Sequence, residues 1–326
     1  MRGCFVMKRL FPILLLMMLI LTLALVGCGG GKGSSAPPTI DYSITMWGSQ
    51  GTGNGQFYQP RYIAIDTVNN FIYVTDTIGN NLDGNHRVQK FDMNGNYLMQ
   101  WGTKGTGDGQ FGDPMGIAVD ASGYVYVADF FNQRIQKFDS NGVYQKEFKS
   151  AASYFEGVAV DKDGNIYITM PAHGVVEKYD SDGNILWSST AFSGPEGIAV
   201  DSTNNVVYVA DHNAYCIKRL NTDNGEVITT WGLKGDGPDK NGIDGDGYFY
   251  YPLGVAVDAA GYVYVAETNN ARIQKFRPDG TFISKWGSKG SLYGQYKSPE
   301  GIVFDKAGYL YVADTANCRI QRFKPE

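Results

Sequence analysis

The sequence predicts an all-β protein, a six-bladed β-propeller whose blades have four strands each. One pattern of three short strands occurs six times along the chain. The aspartate that ends its first strand recurs at spacings of 54, 41, 40, 57 and 47 residues, at Asp66, Asp120, Asp161, Asp201, Asp258 and Asp305. A period of this length is typical of propeller blades. The chain also lacks any helical pattern of useful length, which favours an all-β fold.

Residues 114–138, PMGIAVDASGYVYVADFFNQRIQKF, show the pattern of one unit. The first strand, a, is a continuous apolar run, as expected for the innermost strand of a blade. A turn of Asp and Gly type leads to strand b, which is rich in β-branched and aromatic residues. Strand c is more polar and alternates, so we place it nearer to solvent. Strand d ends in an aromatic residue.

The tryptophans predict how the ring closes. All five are expected in strand d, at Trp47, Trp101, Trp187, Trp231 and Trp286, with Phe148 in the second blade. The sixth unit has no strand d after Phe323, whereas residues 42–48 form a spare one before the first unit. We therefore expect the N-terminal strand to complete the last blade and to remove an open sheet edge.

The first 39 residues are expected to lie outside the propeller. A positive start and an apolar run over residues 10–26 are typical of a signal peptide, residues 1–27. Leu25 to Cys28 resembles a bacterial lipobox, which implies cleavage before Cys28 and its lipidation. The alternative is an ordinary signal with an incidental cysteine. Residues 28–39 then form a flexible tether, and residues 40–326 the propeller. The protein would be held on a membrane of the bacterial cell envelope by its lipid only, in the periplasm or on the outer surface.

Charge and cysteine content restrict the partners. The formal net charge is −5, and it becomes more negative when the basic signal peptide is removed. Nucleic acid is not expected as a partner, because phosphate binding needs clustered Lys and Arg. Cys216 and Cys318 fall in the fourth and sixth units, too far apart for a disulfide, so we predict two unpaired thiols.

Residues 101–120, WGTKGTGDGQFGDPMGIAVD, and residues 85–91, NHRVQKF, resemble NHL repeats. The resemblance covers residues 40–326 in six copies and implies the propeller fold. Members of this family include RNA- and protein-binding modules, sensor domains of receptors and a zinc lyase. The resemblance therefore leaves binding and catalysis open.

Strand b usually ends in an acid and strand c usually begins with Arg. The pairs are Asp76 and Arg87, Asp129 and Arg134, Glu267 and Arg272, and Asp314 and Arg319. We interpret them as charge-assisted pairs that fix a loop. The third unit has Met170 and Val175 instead, and the fourth has Asp211 with Cys216.

These two irregular units contain the candidate site residues. His173 and His212 follow strand b, while Glu156 and Glu196 stand at the start of strand a. Both positions are expected on one face, around the mouth of the central channel, together with Glu300 and Arg61. Two imidazoles with carboxylates would hold Zn²⁺ or supply a general base. The alternative is that both histidines are solvated loop residues. We interpret His86 as structural.

Long loops are expected on the same face. The segment from Gly232 to Tyr251 contains Asp239, Asp244 and Asp246, which is similar to a Ca²⁺ loop but has Ile243 at the third ligand position. A solvated loop is the alternative. Tyr250, Phe130 and Phe131 are candidate contact residues.

These observations favour a non-catalytic binding module that recognises a protein, a peptide or a glycan on this face. The alternative is a metal-dependent lyase or hydrolase at the channel mouth. No cofactor is expected other than Zn²⁺ or Ca²⁺ at these candidate ligands. The sequence has no nucleophile elbow and no phosphate-binding Gly loop that leads into a helix.

Overall fold

The computed structural model describes residues 45–77, 84–150, 154–235 and 245–325. Within them, six antiparallel four-stranded sheets form a ring around a central channel. Two short 3-10 turns, Pro171–His173 and Thr315–Asn317, are the helical elements of this part of the chain. The predicted all-β, six-bladed propeller is confirmed.

In blades 1 to 5 the strands a to d follow chain order from the channel outwards. Blade 1 contains β2 (Pro60–Asp66), β3 (Phe71–Asp76), β4 (Arg87–Asp92) and β5 (Tyr97–Trp101). Blade 2 contains β6 (Pro114–Val119), β7 (Val125–Asp129), β8 (Arg134–Phe138) and β9 (Tyr144–Phe148). Blade 3 contains β10 (Val158–Val160), β11 (Ile166–Met170), β12 (Val175–Tyr179) and β13 (Ile185–Ser189).

The second half of the ring repeats this order. Blade 4 contains β14 (Pro195–Asp201), β15 (Val206–Asp211), β16 (Cys216–Asn221) and β17 (Val227–Trp231). A two-stranded parallel ribbon of β18 (Leu233–Lys234) and β19 (Tyr248–Phe249) follows. Blade 5 contains β20 (Pro252–Val257), β21 (Val263–Glu267), β22 (Arg272–Phe276) and β23 (Phe282–Trp286). Blade 6 contains β24 (Pro299–Phe304), β25 (Leu310–Asp314) and β26 (Arg319–Phe323).

The N-terminal strand closes the ring. β1 (Thr45–Trp47) pairs antiparallel with β26, with Trp47 opposite Ile320. It therefore forms strand d of blade 6, as predicted. The closure covers the outer backbone edge of β26, which would otherwise be free to pair with another chain.

Aromatic residues of strand d pack across the gap between blades. Trp47 lies over Gly95, in the turn between strands c and d of blade 1, and Trp231 lies over Gly280 in blade 5. A Cβ atom on Gly95 would come within 2.7 Å of the Trp47 indole, so this turn needs glycine for the contact as well as for its positive φ. The packing joins each outer strand to the next blade.

Trp187 differs from the other four tryptophans. In blades 1, 4, 5 and 6 the tryptophan is opposite the second residue of strand c, as in the pair Trp101 and Val88. In blade 3 Ser189 occupies that position. Trp187 lies two residues before Ser189 in strand d and is opposite Lys178 of strand c. Trp187 therefore lies in strand d, as predicted, but it is the third residue of that strand and not the last. The indole still packs on Tyr167 and donates a hydrogen bond to the Thr222 carbonyl, 2.8 Å away.

The predicted acid–Arg pairs are confirmed in all four blades. In blade 2, Arg134 Nε lies 3.1 Å from Asp129, and its guanidinium also donates to the carbonyls of Gly107 and Gln110. The pair thus fixes the connection that leads into strand a. In blade 4, Lys218 replaces the arginine and lies 2.8 Å from Asp211. The role of Lys218 as the partner of Asp211 was not predicted, because Lys218 lies two residues after Cys216, the position at which four other blades have arginine.

Several predicted features fall on residues that the structure does not describe. The signal peptide, Cys28, the tether, Asp239 and Asp244 lie outside the described residues. Cys216 and Cys318 are buried free thiols, as predicted. Among the residues described, no helix is long and apolar enough to cross a membrane.

Candidate functional site

The six first strands line the central channel. They enclose a cavity of about 220 Å³ whose walls are mainly Ile, Val and Ala side chains. The mouth is the end where these strands start. Its ring has one residue from each blade, namely Arg61, Met115, Glu156, Glu196, Leu253 and Glu300.

Close backbone packing explains the glycine that follows most mouth residues. A Cβ atom on Gly254 would lie 2.0 Å from the Glu300 carbonyl oxygen, and one on Gly197 would lie 2.0 Å from that of Leu253. Only glycine permits this approach of neighbouring blades. Blade 1 has Tyr62 at the corresponding position, and its side chain lines the channel cavity.

Two of the mouth carboxylates have a cationic or imidazole partner. Arg61 forms an ion pair of 3.0 Å with Glu300, which is 239 residues away in the chain. His212 Nδ1 lies 2.8 Å from Glu196 Oε1 and 3.0 Å from the Gly194 carbonyl oxygen. Because both neighbours are acceptors, Nδ1 carries a proton, and Nε2 is the acceptor in neutral His212.

Glu156 is the buried carboxylate without such a partner. Its residue is only 6% exposed, and no hydrogen bond to its carboxylate occurs among the described residues. Burial raises the pKa of Glu156 well above its ordinary value, and the charge of Glu196 raises it further. The positive charge of Arg61 opposes this rise but does not cancel it. The channel-lining phenol of Tyr62 also has a raised pKa, through burial and then through the charge of Glu156.

Thr169 holds the backbone of both glutamates. Its hydroxyl accepts a hydrogen bond from Gly157 N at 2.8 Å and donates to the Glu196 carbonyl at 2.6 Å, while its own carbonyl accepts from Glu156 N at 3.0 Å. Blades 2, 4, 5 and 6 have alanine at this position of strand b. The threonine is therefore specific to two blades, and in blade 3 it fixes the relative position of Glu156 and Glu196.

Aromatic residues lie on both sides of this pair. The first cluster is Phe130, Phe131 and Tyr154, with ring centroids 5.4 Å and 5.1 Å from that of Phe130. The second is Tyr215, Tyr250 and Tyr251, and the Tyr251 ring also stacks on His212 at 5.8 Å. Phe131, Tyr154 and Tyr251 are 49%, 37% and 38% exposed.

Tyr154 and Tyr251 both have left-handed backbone conformations, with φ of 66° and 54°. Each stands two residues before the mouth residue of its blade, where blade 4 has Gly194. A bulky residue with positive φ is strained, and such strain is found most often at functional sites. These two tyrosines thus hold exposed rings beside the mouth at a cost in backbone energy.

The predicted metal ligands are not brought together into one group. His173 is exposed at the end of the turn Pro171–His173, whereas His212 is paired with Glu196. In the part of the chain that is described, no three His, Cys, Asp or Glu side chains are close enough to hold a metal ion. Asp246 of the proposed Ca²⁺ loop lies 3.1 Å from Lys285. His86 is buried.

Tyr62, Thr169 and Tyr154 were not among the predicted site residues, whereas Tyr251 belongs to the aromatic run that ends the predicted long loop. Two of them have a signal in the repeat, because Tyr62 replaces a glycine and Thr169 replaces an alanine found in most blades. The conformation of the other two could not be read from their type, since tyrosine rarely adopts positive φ.

The family model for the NHL repeat matches residues 111–138, 192–220, 249–276 and 296–323. The chain is an NHL-repeat β-propeller. The matched segments are strands a to c of blades 2, 4, 5 and 6. Blades 1 and 3 have the same strands but contain the departures Tyr62 and Met170. A segment of 42 residues is 52% identical to the chicken (Gallus gallus) E3 ubiquitin-protein ligase TRIM71. It amounts to 13% of this chain and 5% of that protein, so this chain spans only a small part of its relative.

Solved structures share the fold at low identity. A gluconolactonase of Xanthomonas campestris has a TM-score of 0.63 and 16% identity, with 89% of this chain and 95% of that chain covered. A streptogramin B lyase has a TM-score of 0.56 and 15% identity, with 87% of this chain and 97% of that chain covered. An auxiliary nutrient binding protein of Bacteroides thetaiotaomicron has a TM-score of 0.62 and 17% identity, with 86% of this chain and 77% of that chain covered. At these identities the likeness concerns the fold alone.

Proposed function

We propose that this NHL-repeat propeller is a non-catalytic binding module of the bacterial cell envelope, anchored by a lipid on Cys28. It recognises a protein, a peptide or a glycan on the face around the channel mouth. One observation carries the proposal: exposed aromatic clusters lie on both sides of a mouth that contains a buried, unpartnered carboxylate. Apolar rings around a polar centre are typical of binding sites on rigid scaffolds.

The aromatic residues supply the contact area. Phe131 and Tyr251 expose a third or more of their surface, and each packs against further rings that keep it in place. Rigid aromatic side chains lose little conformational entropy on binding and stack on apolar or sugar surfaces. A partner that covers this face would bury them together with the mouth.

A binding array tests this function. The full-length chain, purified in a mild non-ionic detergent, is applied to arrays of peptides and of glycans. We expect discrete ligands whose signal falls at least tenfold in the double variant Phe131→Ser, Tyr251→Ser. The matched control is Ile185→Ser with Leu98→Ser, which removes two exposed apolar side chains from outer strands far from the mouth. Equal loss in both double variants, or no ligand at all, would contradict the proposal.

A second candidate function rests on His212. Glu196 orients its imidazole at 2.8 Å, which leaves Nε2 as a base at the mouth. This arrangement favours a lyase or hydrolase. Two fold neighbours are named as a gluconolactonase and a streptogramin B lyase, so sugar lactones and streptogramin B are suitable test substrates. Turnover that is lost in His212→Gln but kept in His173→Gln would support catalysis; no turnover in the wild type would leave the binding function in place.

The anchor has its own test. The run of apolar residues before Cys28 and the Leu25 to Cys28 segment support lipidation. Radiolabelled palmitate fed to cells is expected to label the wild type and not the Cys28→Ala variant, which should be released from the membrane fraction. Equal labelling of both would contradict the anchor.

A further inference from the structure

We propose that the mouth between Glu156 and Glu196 binds a primary ammonium group on an alkyl stem, such as a lysine side chain of a peptide or a small free amine. The inference deepens the proposed function by giving the chemical class of the ligand, and it rests on that function. It is carried by the distribution of charge around the mouth and by what surrounds it.

Counting the partners of the three mouth carboxylates leaves Glu156 without one. Glu300 is paired with Arg61 at 3.0 Å, and Glu196 with His212 at 2.8 Å. Glu156 is more than nine-tenths buried and has no hydrogen bond to its carboxylate within the described structure. A buried carboxylate normally has a hydrogen-bond partner or a counter-charge. This one points to a cationic group that arrives with a ligand.

The electrostatics at Glu156 agree with an external cation. Its pKa is raised by burial first and then by the neighbouring charge of Glu196, more than Arg61 lowers it. A positive charge placed between the two carboxylates removes their repulsion and replaces the water that each lost. Binding would thus stabilise the ionised form of Glu156.

An ammonium group fits this place better than a metal ion or a guanidinium. Among the described residues, no three ligand side chains come together as a metal ion would need. A guanidinium needs both oxygens of one carboxylate in a plane, as its fixed fork prefers. An ammonium is compact and has three rotatable donors, so a single group of this kind can donate to oxygens of two separate carboxylates.

The walls around the pair suit an alkyl stem within a peptide. Tyr154 is two residues before Glu156, and its ring packs against Phe130 at 5.1 Å. On the other side Tyr251 covers His212 at 5.8 Å. Aromatic faces pack along the methylene groups of a lysine and attract its charge. Both tyrosines keep these positions through a strained backbone, and Thr169 fixes the two glutamates between them.

The test compares charged and neutral probes by isothermal titration calorimetry on the full-length chain in detergent. The peptide probe is acetyl-Gly-Phe-Lys-Phe-Gly-amide, and its partner has norleucine in place of lysine. Butylammonium represents the small free amine. We expect the lysine peptide to bind at least tenfold more tightly than the norleucine peptide. A tighter affinity for the peptide than for butylammonium would identify a lysine side chain as the source, and equal affinities would identify a free amine.

Variants locate the site. Glu156→Gln keeps the shape and removes the charge, so it should abolish the preference for lysine over norleucine. Glu226→Gln is the matched control, because Glu226 is exposed in a turn of blade 4 between strands c and d. Equal binding of both peptides by the wild type, an unchanged preference in Glu156→Gln, or no binding of any probe would overturn the inference. A neutral ligand from the arrays that still needs Phe131 and Tyr251 would leave the proposed function intact.

Discussion

Trp47 offers a direct test of the way in which the ring is closed. Its indole lies 6.1 Å from the Phe91 ring of blade 1 and 6.2 Å from the Tyr311 ring of blade 6. A tryptophan buries about 150–250 Å² in such packing, which corresponds to about 4–6 kcal/mol at about 25 cal/mol per Å². Trp47 is half-buried, so Trp47→Ala should lower the free energy of unfolding by about 2–3 kcal/mol.

The assay is urea unfolding followed by far-UV circular dichroism, which does not depend on the removed fluorophore. A loss of this size should move the midpoint by about 1 M urea. Trp101→Ala is the matched control. Trp101 occupies the same position of a strand d and packs on Tyr73 and Phe138, but its strand directly follows strand c of the same blade in the sequence. We expect similar losses for both variants. A change below about 0.5 kcal/mol in Trp47→Ala, with the full loss in Trp101→Ala, would refute closure by the N-terminal strand.

Four further predictions follow from particular contacts. Arg134→Ala should cost about 3–5 kcal/mol in urea unfolding because it leaves the buried Asp129 charge without its partner, and a cost near zero would refute the role of the pair. Gly254→Ala should lower the free energy of unfolding by about 3 kcal/mol or more, because its Cβ would lie 2.0 Å from a carbonyl oxygen. Gly109→Ala has free space around the new Cβ but a φ of 72°, so it should lower the same free energy by only about 1–2 kcal/mol. Equal losses in the two variants would contradict the close approach at Gly254. Tyr154→Asn should leave the melting temperature nearly unchanged, because relief of the strained φ offsets the lost contact with Phe130, while ligand signal on the arrays falls; a large drop in melting temperature would show that the tyrosine is structural. The raised pKa means that the folded protein holds the Glu156 proton to higher pH than the unfolded chain does. The wild type should therefore lose stability relative to Glu156→Gln as the pH rises from about 4.3 towards the raised pKa. A difference in unfolding free energy between the two proteins that stays constant from about pH 4 to 8 would contradict the raised pKa.

The blades could be predicted from sequence because their information is local. Strand b of every blade is a short run of β-branched and aromatic residues, and the turn after Asp66 and its equivalents contains the expected polar residues. Ring closure was also predictable, since the chain has as many d strands as blades only when residues 45–47 are counted. Trp187 is an exception within a regular ring, because strands c and d of blade 3 pair in the same register as those of blade 1, but the tryptophan is the third residue of strand d and not the last.

The candidate site was predictable in position and not in its partners. The start of strand a brings Glu156, Glu196 and Glu300 to the mouth in any propeller of this kind. That Arg61 neutralises Glu300 depends on contact between the first and last blades, 239 residues apart. That His212 turns to Glu196 depends on a rotamer, and rotamers follow from packing. That Glu156 lacks a partner is therefore visible only when the folded ring is considered.

We propose that a ligand contacts the mouth face and not the outer strands of the blades. Photo-crosslinking tests it in living cells, with p-benzoylphenylalanine at position 131 or at position 185 of the full-length chain. Phe131 is 49% exposed beside the mouth, and Ile185 is 52% exposed on an outer strand, so both positions are equally accessible. We predict a discrete crosslinked product from position 131 that disappears when Glu156→Gln is added. A product from position 185 alone, or the same products from both positions, would contradict the claim.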